Sequence, residues 1–193
     1  MKKYATALTI VLFFLSAASA YAGSPLAAVQ ADVNQILAVV TDNNLSTEAK
    51  KEKLRGFYSK MFNTEELSRQ TLGANWRKLD PTQQQQFIRL YGRLLERTYM
   101  DKILSYKNQK ISYGRQIMFS DSMAEIQTKV NTDSGEVPID YKMILAKGAW
   151  KVYDVVVANV SLVLNYRSQF QEILASKTPE QMLAELKAKV DQY

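Results

Sequence analysis

Residues 124–145 read AEIQTKVNTDSGEVPIDYKMIL, and this stretch decides the fold class. Over Ala124–Thr132 and again over Val137–Leu145, apolar or β-branched residues alternate with polar ones. Alternation with a period of two predicts strands that bury one face. Between the two runs, Asp133-Ser134-Gly135 supplies the residues of a hairpin turn. We therefore expect an antiparallel hairpin with one apolar and one polar face.

Two further strands extend this hairpin into a meander. Lys147-Gly148 turns the chain into an apolar run over Trp150–Val157, and a shorter strand is expected over Gln116–Ser120. Helical patterns flank the strands: Pro25–Asp42, a helix from Ser46-Thr47, one from Asn63-Thr64 to Gly73, one from Asp80-Pro81 to Tyr106, and two at Val160–Ala175 and Thr178–Val190. Helices, then strands, then helices indicate an α+β fold, with helices packed on a twisted antiparallel sheet of about four strands.

The first 22 residues have the order of a secretory signal peptide. Lys2 and Lys3 precede an apolar run over residues 5–15, and small residues lead to Ala20-Tyr21-Ala22. The apolar run is too short to span a bilayer. We expect cleavage after Ala22, with Ala20 as the alternative site, and a single domain over residues 23–193.

Composition excludes several classes of function. Without residues 1–22, which hold two lysines and no acid, the net charge falls from +6 to +4. No long Lys/Arg block is present, so we expect no nucleic acid partner. The chain contains no histidine and no cysteine, which removes Ser-His-Asp catalysis, thiol nucleophiles and the usual metal ligands. We expect a binding protein rather than an enzyme, with no cofactor and no metal.

The fourth helix has two faces of different chemistry. A broad apolar face comprises Phe87, Leu90, Tyr91, Leu94, Leu95, Thr98 and Tyr99. On the opposite side, Arg89, Arg93 and Arg97 form a ridge that could dock an acidic protein or anionic lipid. Glu96 and Asp101 are close in sequence, so the ridge is also consistent with a solvated helix face.

The helix predicted from Val160 has an apolar arc of about 200° at 3.6 residues per turn, which is wide for a surface helix. Either it is buried on several sides or it lines an apolar space. Arg167 lies inside that arc, where an unpaired charge would be costly. Asp154 on the preceding strand is the nearest acidic residue in sequence, so an Arg167–Asp154 ion pair is expected. The alternatives are an anionic ligand group facing Arg167 and solvent at the helix edge.

Several motifs together resemble those of the MlaC family, the toluene-tolerance type of periplasmic proteins. The most specific part is Trp150–Val155, Val160–Val163 and Asn165–Phe170. The other matching positions, in chain order, are Phe62, Leu67-Ser68-Arg69, Leu72-Gly73, Trp76-Arg77, Gln84, Phe87 and Tyr141-Lys142-Met143. Asn159 stands where the family often has glycine, and asparagine tolerates a positive φ better than other side chains.

The resemblance implies a soluble periplasmic phospholipid carrier with an apolar ligand cavity between helices and sheet. Such a carrier would move lipid between an outer-membrane lipoprotein–porin complex and an inner-membrane ABC transporter with an MCE-type subunit, and so maintain outer-membrane lipid asymmetry. Apolar-face residues expected to contact the lipid are Tyr91, Leu94, Tyr99, Tyr141, Met143, Val163, Tyr166 and Phe170.

Two other functions remain open from the sequence. One is a non-transporting adaptor between envelope complexes, which would have a filled core. The other is a carrier of a different apolar ligand such as a hopanoid, since apolar walls accept many ligands.

Overall fold

The computed structural model describes residues 23–106, 109–132 and 135–192. The expected signal peptide, residues 1–22, and the Asp133-Ser134 part of the expected turn lie outside the described residues. The described elements are α1 Pro25–Thr41, α2 Thr47–Met61, α3 Thr64–Leu72, a 3-10 helix Gly73–Lys78, α4 Pro81–Leu104, β1 Ile111–Ser120, β2 Met123–Thr132, β3 Gly135–Ala146, β4 Ala149–Val157, β5 Val160–Ser161, α5 Leu162–Ser176 and α6 Pro179–Asp191. The expected α+β fold is confirmed.

Side-chain caps explain where the helices begin. Each of the six α-helices starts after a Ser, Thr, Asn or Asp whose side chain accepts a hydrogen bond from the first turn. At α4 and α6 the cap is reciprocal: Asp80 pairs with Gln83, and Thr178 with Gln181. In both helices proline occupies the first turn, where no backbone donor is needed.

The sheet is an antiparallel meander in the order β1-β2-β3-β4-β5. Residues that face each other across strands share a side of the sheet, so the register defines two faces. Ala124, Met143 and Val152 lie opposite one another on the first, or inner, face. A bulge in β4 follows this row, because Lys142 pairs with Asp154 while Met143 pairs with Val152. Lys142 and Asp154 therefore lie on the second, outer face.

Helices pack at both sides of this sheet and divide the interior into two main clusters. α1 packs on β2, while α3 and α5 pack against β4. The buried members of the sheet-side cluster are Val29, Val33, Met61, Ala124, Ile126, Met143, Trp150, Val152 and Val155. The helical cluster joins α3 to α6 through Leu67, Leu72, Leu79, Phe87, Leu90, Tyr91, Leu94, Leu95, Val163, Tyr166, Phe170, Leu174, Met182, Leu183, Leu186 and Val190. A smaller cluster, Val39, Val40, Leu54 and Met100, connects α1, α2 and α4.

Two expected boundaries are wrong. β1 begins at Ile111, not Gln116, because Gly114 and an irregular register between Tyr113 and Gln116 interrupt the alternation that marks a strand. The helix predicted from Val160 begins later than expected. Val160 pairs with Val157 in β5, and α5 starts only at Leu162. Ala158 and Asn159 make the intervening turn with φ of 48° and 65°, so the positive φ expected of Asn159 is confirmed.

At the end of α3 the backbone requires glycine. Gly73 has φ 56° and ψ −128°, a combination that residues with side chains rarely adopt. Its backbone N–H donates to the carbonyl of Arg69, which ends the helix. The Arg167 side chain lies over the open side of Gly73, where an added Cβ would be 3.5 Å from Nε. The turn therefore depends on glycine for its backbone conformation rather than for space.

We expect Gly73→Ala to lower the free energy of unfolding by about 1–3 kcal/mol, because alanine is strained in this conformation. Gly56→Ala is the matched control. Gly56 lies inside α2, and no atom lies within 4 Å of the position that a Cβ would take there, so alanine should raise stability by about 0.5–1 kcal/mol. Urea unfolding of both variants measures the difference, and equal effects at the two sites would contradict this account.

Candidate functional site

The sheet-side cluster retains much more accessible apolar surface than the helical cluster. Twelve partly buried apolar side chains pack against its nine buried members, whereas the helical cluster has four against sixteen in the described chain. The twelve are Leu26, Ala28, Ile36, Leu37, Phe62, Ile111, Tyr113, Ile139, Tyr141, Leu145, Val157 and Leu162. Protein interiors are normally close-packed. The sheet-side cluster is thus only partly enclosed by the protein's own side chains.

Burial changes along the strands. Ala124, Met143 and Val152 are completely buried. Two rows toward the β4–β5 turn, Ile139 and Val157 face each other and are only half-buried. Val160 pairs with Val157 and is 56% exposed. The apolar inner face therefore opens toward solvent at this end, and we call Ile139, Val157 and Val160 the open end of the sheet-side cluster.

The open end was not among the lipid contacts predicted from the sequence. Ile139 and Tyr141 were expected on one apolar face, so the alternation over Val137–Leu145 carried the signal for Ile139. Val157 and Val160 could not be recognised as neighbours, because the turn between them was expected to lead directly into a helix.

The eight residues expected to contact lipid do not lie together. Tyr141 and Met143 belong to the sheet-side cluster, Met143 as a fully buried member. The other six lie in the helical cluster or, for Tyr99, pack against it. They are Tyr91, Leu94, Tyr99, Val163, Tyr166 and Phe170. The eight residues are thus divided between two clusters, which periodicity along the sequence could not show, and their contact with lipid stays a prediction.

The helical cluster is closed by aromatic packing. The ring of Tyr91 contacts Tyr166 and Phe170 edge to face, with centroids 5.3 and 5.8 Å apart. The Tyr91 hydroxyl is 3.3 Å from Thr71 Oγ1, and burial raises the pKa of this tyrosine. Buried positions of α5 are Val163, Tyr166, Phe170 and Leu174. That is one ordinary stripe, so the wide arc expected for this helix is wrong: Val160 is in β5 and Leu164 is 52% exposed.

Small cavities lie beside both clusters. A cavity of about 120 Å³ between α4, α5 and α6 has Leu94, Tyr166 and Phe170 among its lining residues. At roughly 30 Å³ per water molecule it holds about four waters, far less than an acyl chain needs. A second, more open cavity of about 290 Å³ lies between α1 and the β3–β4 turn, where Asp32, Lys60 and Lys151 contribute polar groups. Desolvation raises the pKa of Asp32, and the charge of Lys151 opposes this.

Asp154 is a buried structural carboxylate. It is 2% exposed and accepts hydrogen bonds from Ser161 Oγ at 2.6 Å and from the Val163 backbone N–H at 3.1 Å. Lys142 Nζ lies 3.3 Å from Oδ2, the oxygen that also accepts from Ser161. Asp154 and Ser161 thus satisfy the free N–H groups at the beginning of α5 and favour its positive dipole end.

The expected Arg167–Asp154 ion pair is wrong. Arg167 Nε donates to the backbone carbonyl of Gln70 at 2.9 Å, and its Nη2 donates to the same oxygen. That carbonyl lies in the last turn of α3, where unpaired carbonyls and the negative dipole end favour a cation. The acid nearest in sequence was therefore not the partner, because a carbonyl 97 residues away is close in space.

The arginine ridge faces α6. Arg93 lies 3.5 Å from Asp191, and Arg97 contributes with Lys187 and Arg93 to the lowered pKa of Asp191. Glu96 instead binds Arg55 at 2.7 Å, and Asp101 lies 4.0 Å from Lys51. Arg89 and Arg93 are exposed, so docking through Arg89, Arg93 and Arg97 stays a prediction.

No helix in residues 23–106, 109–132 and 135–192 is both long and apolar enough to cross a membrane. Within the same ranges, no three acidic side chains converge on a position where a metal ion could bind.

Comparisons with known proteins agree on one family. The family model described as MlaC protein matches residues 30–188. The intermembrane phospholipid transport system binding protein MlaC of Haemophilus influenzae is 25% identical over 174 residues, covering 84% of this chain and 81% of that protein. The toluene tolerance protein ttg2D of Pseudomonas putida is 30% identical over 99 residues, covering 51% of this chain and 46% of that protein.

A solved structure has the same fold. A phospholipid-binding protein from Ralstonia solanacearum, determined in complex with a phospholipid, superposes with a TM-score of 0.79 at 23% identity. The match covers 88% of this chain and 98% of that one.

The separate roles of Asp154 and Arg167 lead to a double-mutant test. Asp154→Asn removes the charge that Lys142 and the start of α5 bind, and should lower the free energy of unfolding by about 2 kcal/mol. Asp154→Asn with Arg167→Met should cost the sum of the single losses within about 0.5 kcal/mol, because the two side chains bind different groups. Asp154→Asn with Lys142→Met should cost less than its sum. Thermal or urea unfolding measures both cycles. A coupling energy between Asp154 and Arg167 would show that the two side chains form an ion pair after all.

Proposed function

The chain belongs to the MlaC family, and from this premise we propose that it is a phospholipid carrier of the periplasm. The observation that carries the proposal is the set of half-buried apolar side chains in the sheet-side cluster. Its inner face is apolar, it opens at Ile139, Val157 and Val160, and a homologous fold has been solved with a phospholipid. An acyl chain would cover the half-buried apolar side chains.

The physical task of such a carrier is to shelter acyl chains during transit. About 30 methylenes at ~0.8 kcal/mol each correspond to roughly 24 kcal/mol of unfavourable exposure to water. A bilayer offers nearly the same shelter as an apolar cluster, so exchange between membrane and carrier is close to balanced. The carrier removes the aqueous barrier, and the direction of transport comes from an energised partner.

The partners and the location belong to the same proposal. The signal-like residues 1–22 support export across the inner membrane. We propose docking at an outer-membrane lipoprotein–porin complex and at the MCE-type subunit of an inner-membrane ABC transporter, with Arg89, Arg93 and Arg97 as one candidate contact. Repeated docking and release would let one carrier serve both membranes.

Within the site, we propose different roles for the two groups of residues that the sequence singled out. Tyr141 is half-buried, with buried Ile126 and Val155 opposite it and half-buried Ile139 in the next row, and is the best candidate for ligand contact. Tyr91, Tyr166 and Phe170 contact one another in the closed helical cluster. Their proposed role is to hold α4 and α5 rigidly beside the sheet.

The first expected result is that the protein purifies with bound phospholipid and, once delipidated, extracts phospholipid from vesicles. Native mass spectrometry and lipid extraction measure both. A delipidated, folded protein that takes no lipid from vesicles would favour the adaptor, and a bound hopanoid would favour the other ligand class.

A second prediction locates the ligand. Ile139→Trp should cover the open end and reduce lipid uptake severalfold with little loss of stability, because a half-buried position can direct the added ring toward solvent. Leu90→Trp in the closed helical cluster is the control and should cost about 1–3 kcal/mol of stability through overpacking. Its lipid uptake per folded molecule should stay unchanged. Vesicle-uptake assays with urea unfolding test the pair, and the reverse pattern would place the ligand among the helices.

A further inference from the structure

Tyr113 carries a buried hydroxyl that no described residue binds. Its ring is half-buried against the sheet-side cluster, while its hydroxyl oxygen is buried without a hydrogen-bond partner among the described residues. Tyr113 lies opposite Thr128, which lies opposite Ile139 at the open end. The hydroxyl of Thr128 donates to the Ile139 carbonyl at 2.6 Å, so its hydrogen-bond donor is already used within the sheet. Tyr113 therefore contributes an unused donor beside the open space.

Two other tyrosines are close to Tyr113. Tyr106 donates its hydroxyl to the carbonyl of Gln109 in the connection between α4 and β1. Tyr141 belongs, like Tyr113, to the half-buried side chains of the sheet-side cluster. Burial raises the pKa of Tyr113 and of Tyr141, so both phenols remain protonated donors at neutral pH. Tyr113 and Tyr141 are the side chains that place hydroxyls among the half-buried apolar residues of this cluster.

A buried hydroxyl without a partner is unfavourable, and native proteins contain few such groups. Replacing the hydroxyl by hydrogen would remove the cost in the lipid-free protein without loss of a contact. A tyrosine at this position therefore needs a reason other than packing, and a ligand with an acceptor atom supplies one.

The chemistry of the surrounding cluster selects the acceptor. The inner-face residues beside Tyr113 in the sheet carry no charge: they are Ile111, Thr128, Val130 and Ile139. A phosphate group would be unpaired there and costly to desolvate. Acyl chains contain no acceptor. The ester carbonyl at the head of each acyl chain is neutral, accepts hydrogen bonds and can enter an apolar space when a donor is present.

We propose that the Tyr113 hydroxyl donates a hydrogen bond to an ester carbonyl of the bound diacyl phospholipid. This inference rests on the proposed function and deepens it, because it places the ester groups of the lipid beside the paired residues Tyr113, Thr128 and Ile139. It also gives the carrier a means of distinguishing ester-linked from ether-linked lipids without contacting the headgroup.

The experiment compares dioleoylphosphatidylcholine with its dioleyl ether analogue, which has the same headgroup and chains but no ester carbonyl. Delipidated protein is incubated with vesicles containing equal amounts of both, and the bound lipid is identified by mass spectrometry. The wild-type protein should favour the ester lipid by about fivefold, the ratio expected for one neutral hydrogen bond. Tyr113→Phe should take up both lipids equally.

Tyr91→Phe is the matched control. It removes a hydroxyl that is 3.3 Å from Thr71 Oγ1 in the helical cluster, so it should lower the unfolding temperature and keep the ester preference. Lipid-free Tyr113→Phe should unfold at the same or a higher temperature than the wild type, because no protein hydrogen bond is lost.

The outcomes separate the role of Tyr113 from the carrier function. A wild-type protein that binds both lipids equally, or a Tyr113→Phe variant that keeps the ester preference, overturns the assignment of Tyr113 and leaves the carrier function standing. A folded wild-type protein that takes up neither lipid overturns the proposed function instead.

Discussion

The carboxylate of Asp154 receives donors from three parts of the chain: Lys142 on β3, Ser161 on β5 and the backbone of Val163 in α5. A bulge in β4 sets the register in which Asp154 and Lys142 share the outer face. Because a buried carboxylate is costly unless it is fully satisfied, these contacts fix how the chain leaves the sheet. The same turn places Val160 on the inner face beside Val157. The closed helical cluster and the open end of the sheet-side cluster both depend on this junction.

Arg167 makes the equivalent attachment one turn further along α5. Its guanidinium binds the Gln70 carbonyl in the last turn of α3 and lies over Gly73. Asp154 thus binds the positive N-terminal end of α5, and Arg167 on α5 binds the negative C-terminal end of α3. With α5 fixed in this way, Tyr166 and Phe170 pack on α4 and complete a core that requires no ligand.

The presence of one closed and one open apolar cluster suits a protein that binds and releases an apolar ligand. The helical cluster holds the larger share of the buried apolar side chains, whereas many side chains of the sheet-side cluster are only half-buried and can contact further apolar groups. If both clusters depended on ligand, release would expose a large apolar surface and threaten the fold. In the proposed carrier, separation of the stabilising core from the ligand space would allow the lipid-free protein to persist between two membranes.

Local signals in the sequence determined the elements of the fold. Caps at Asp80 and Thr178, alternation over residues 124–145 and the signature from Trp150 to Phe170 were sufficient for the α+β class and the family, because each depends on residues adjacent along the chain. What only the tertiary structure decided was which apolar faces meet. Tyr91 and Tyr141 look equally suited to line a ligand space by period, yet one lies in the closed cluster and the other beside the open one. The partners of Asp154 and Arg167, and the unbound hydroxyl of Tyr113, likewise depend on contacts between residues distant in sequence. Periodicity shows that a face is buried, but the choice of partner is made by packing and by the requirement that every buried polar group be satisfied.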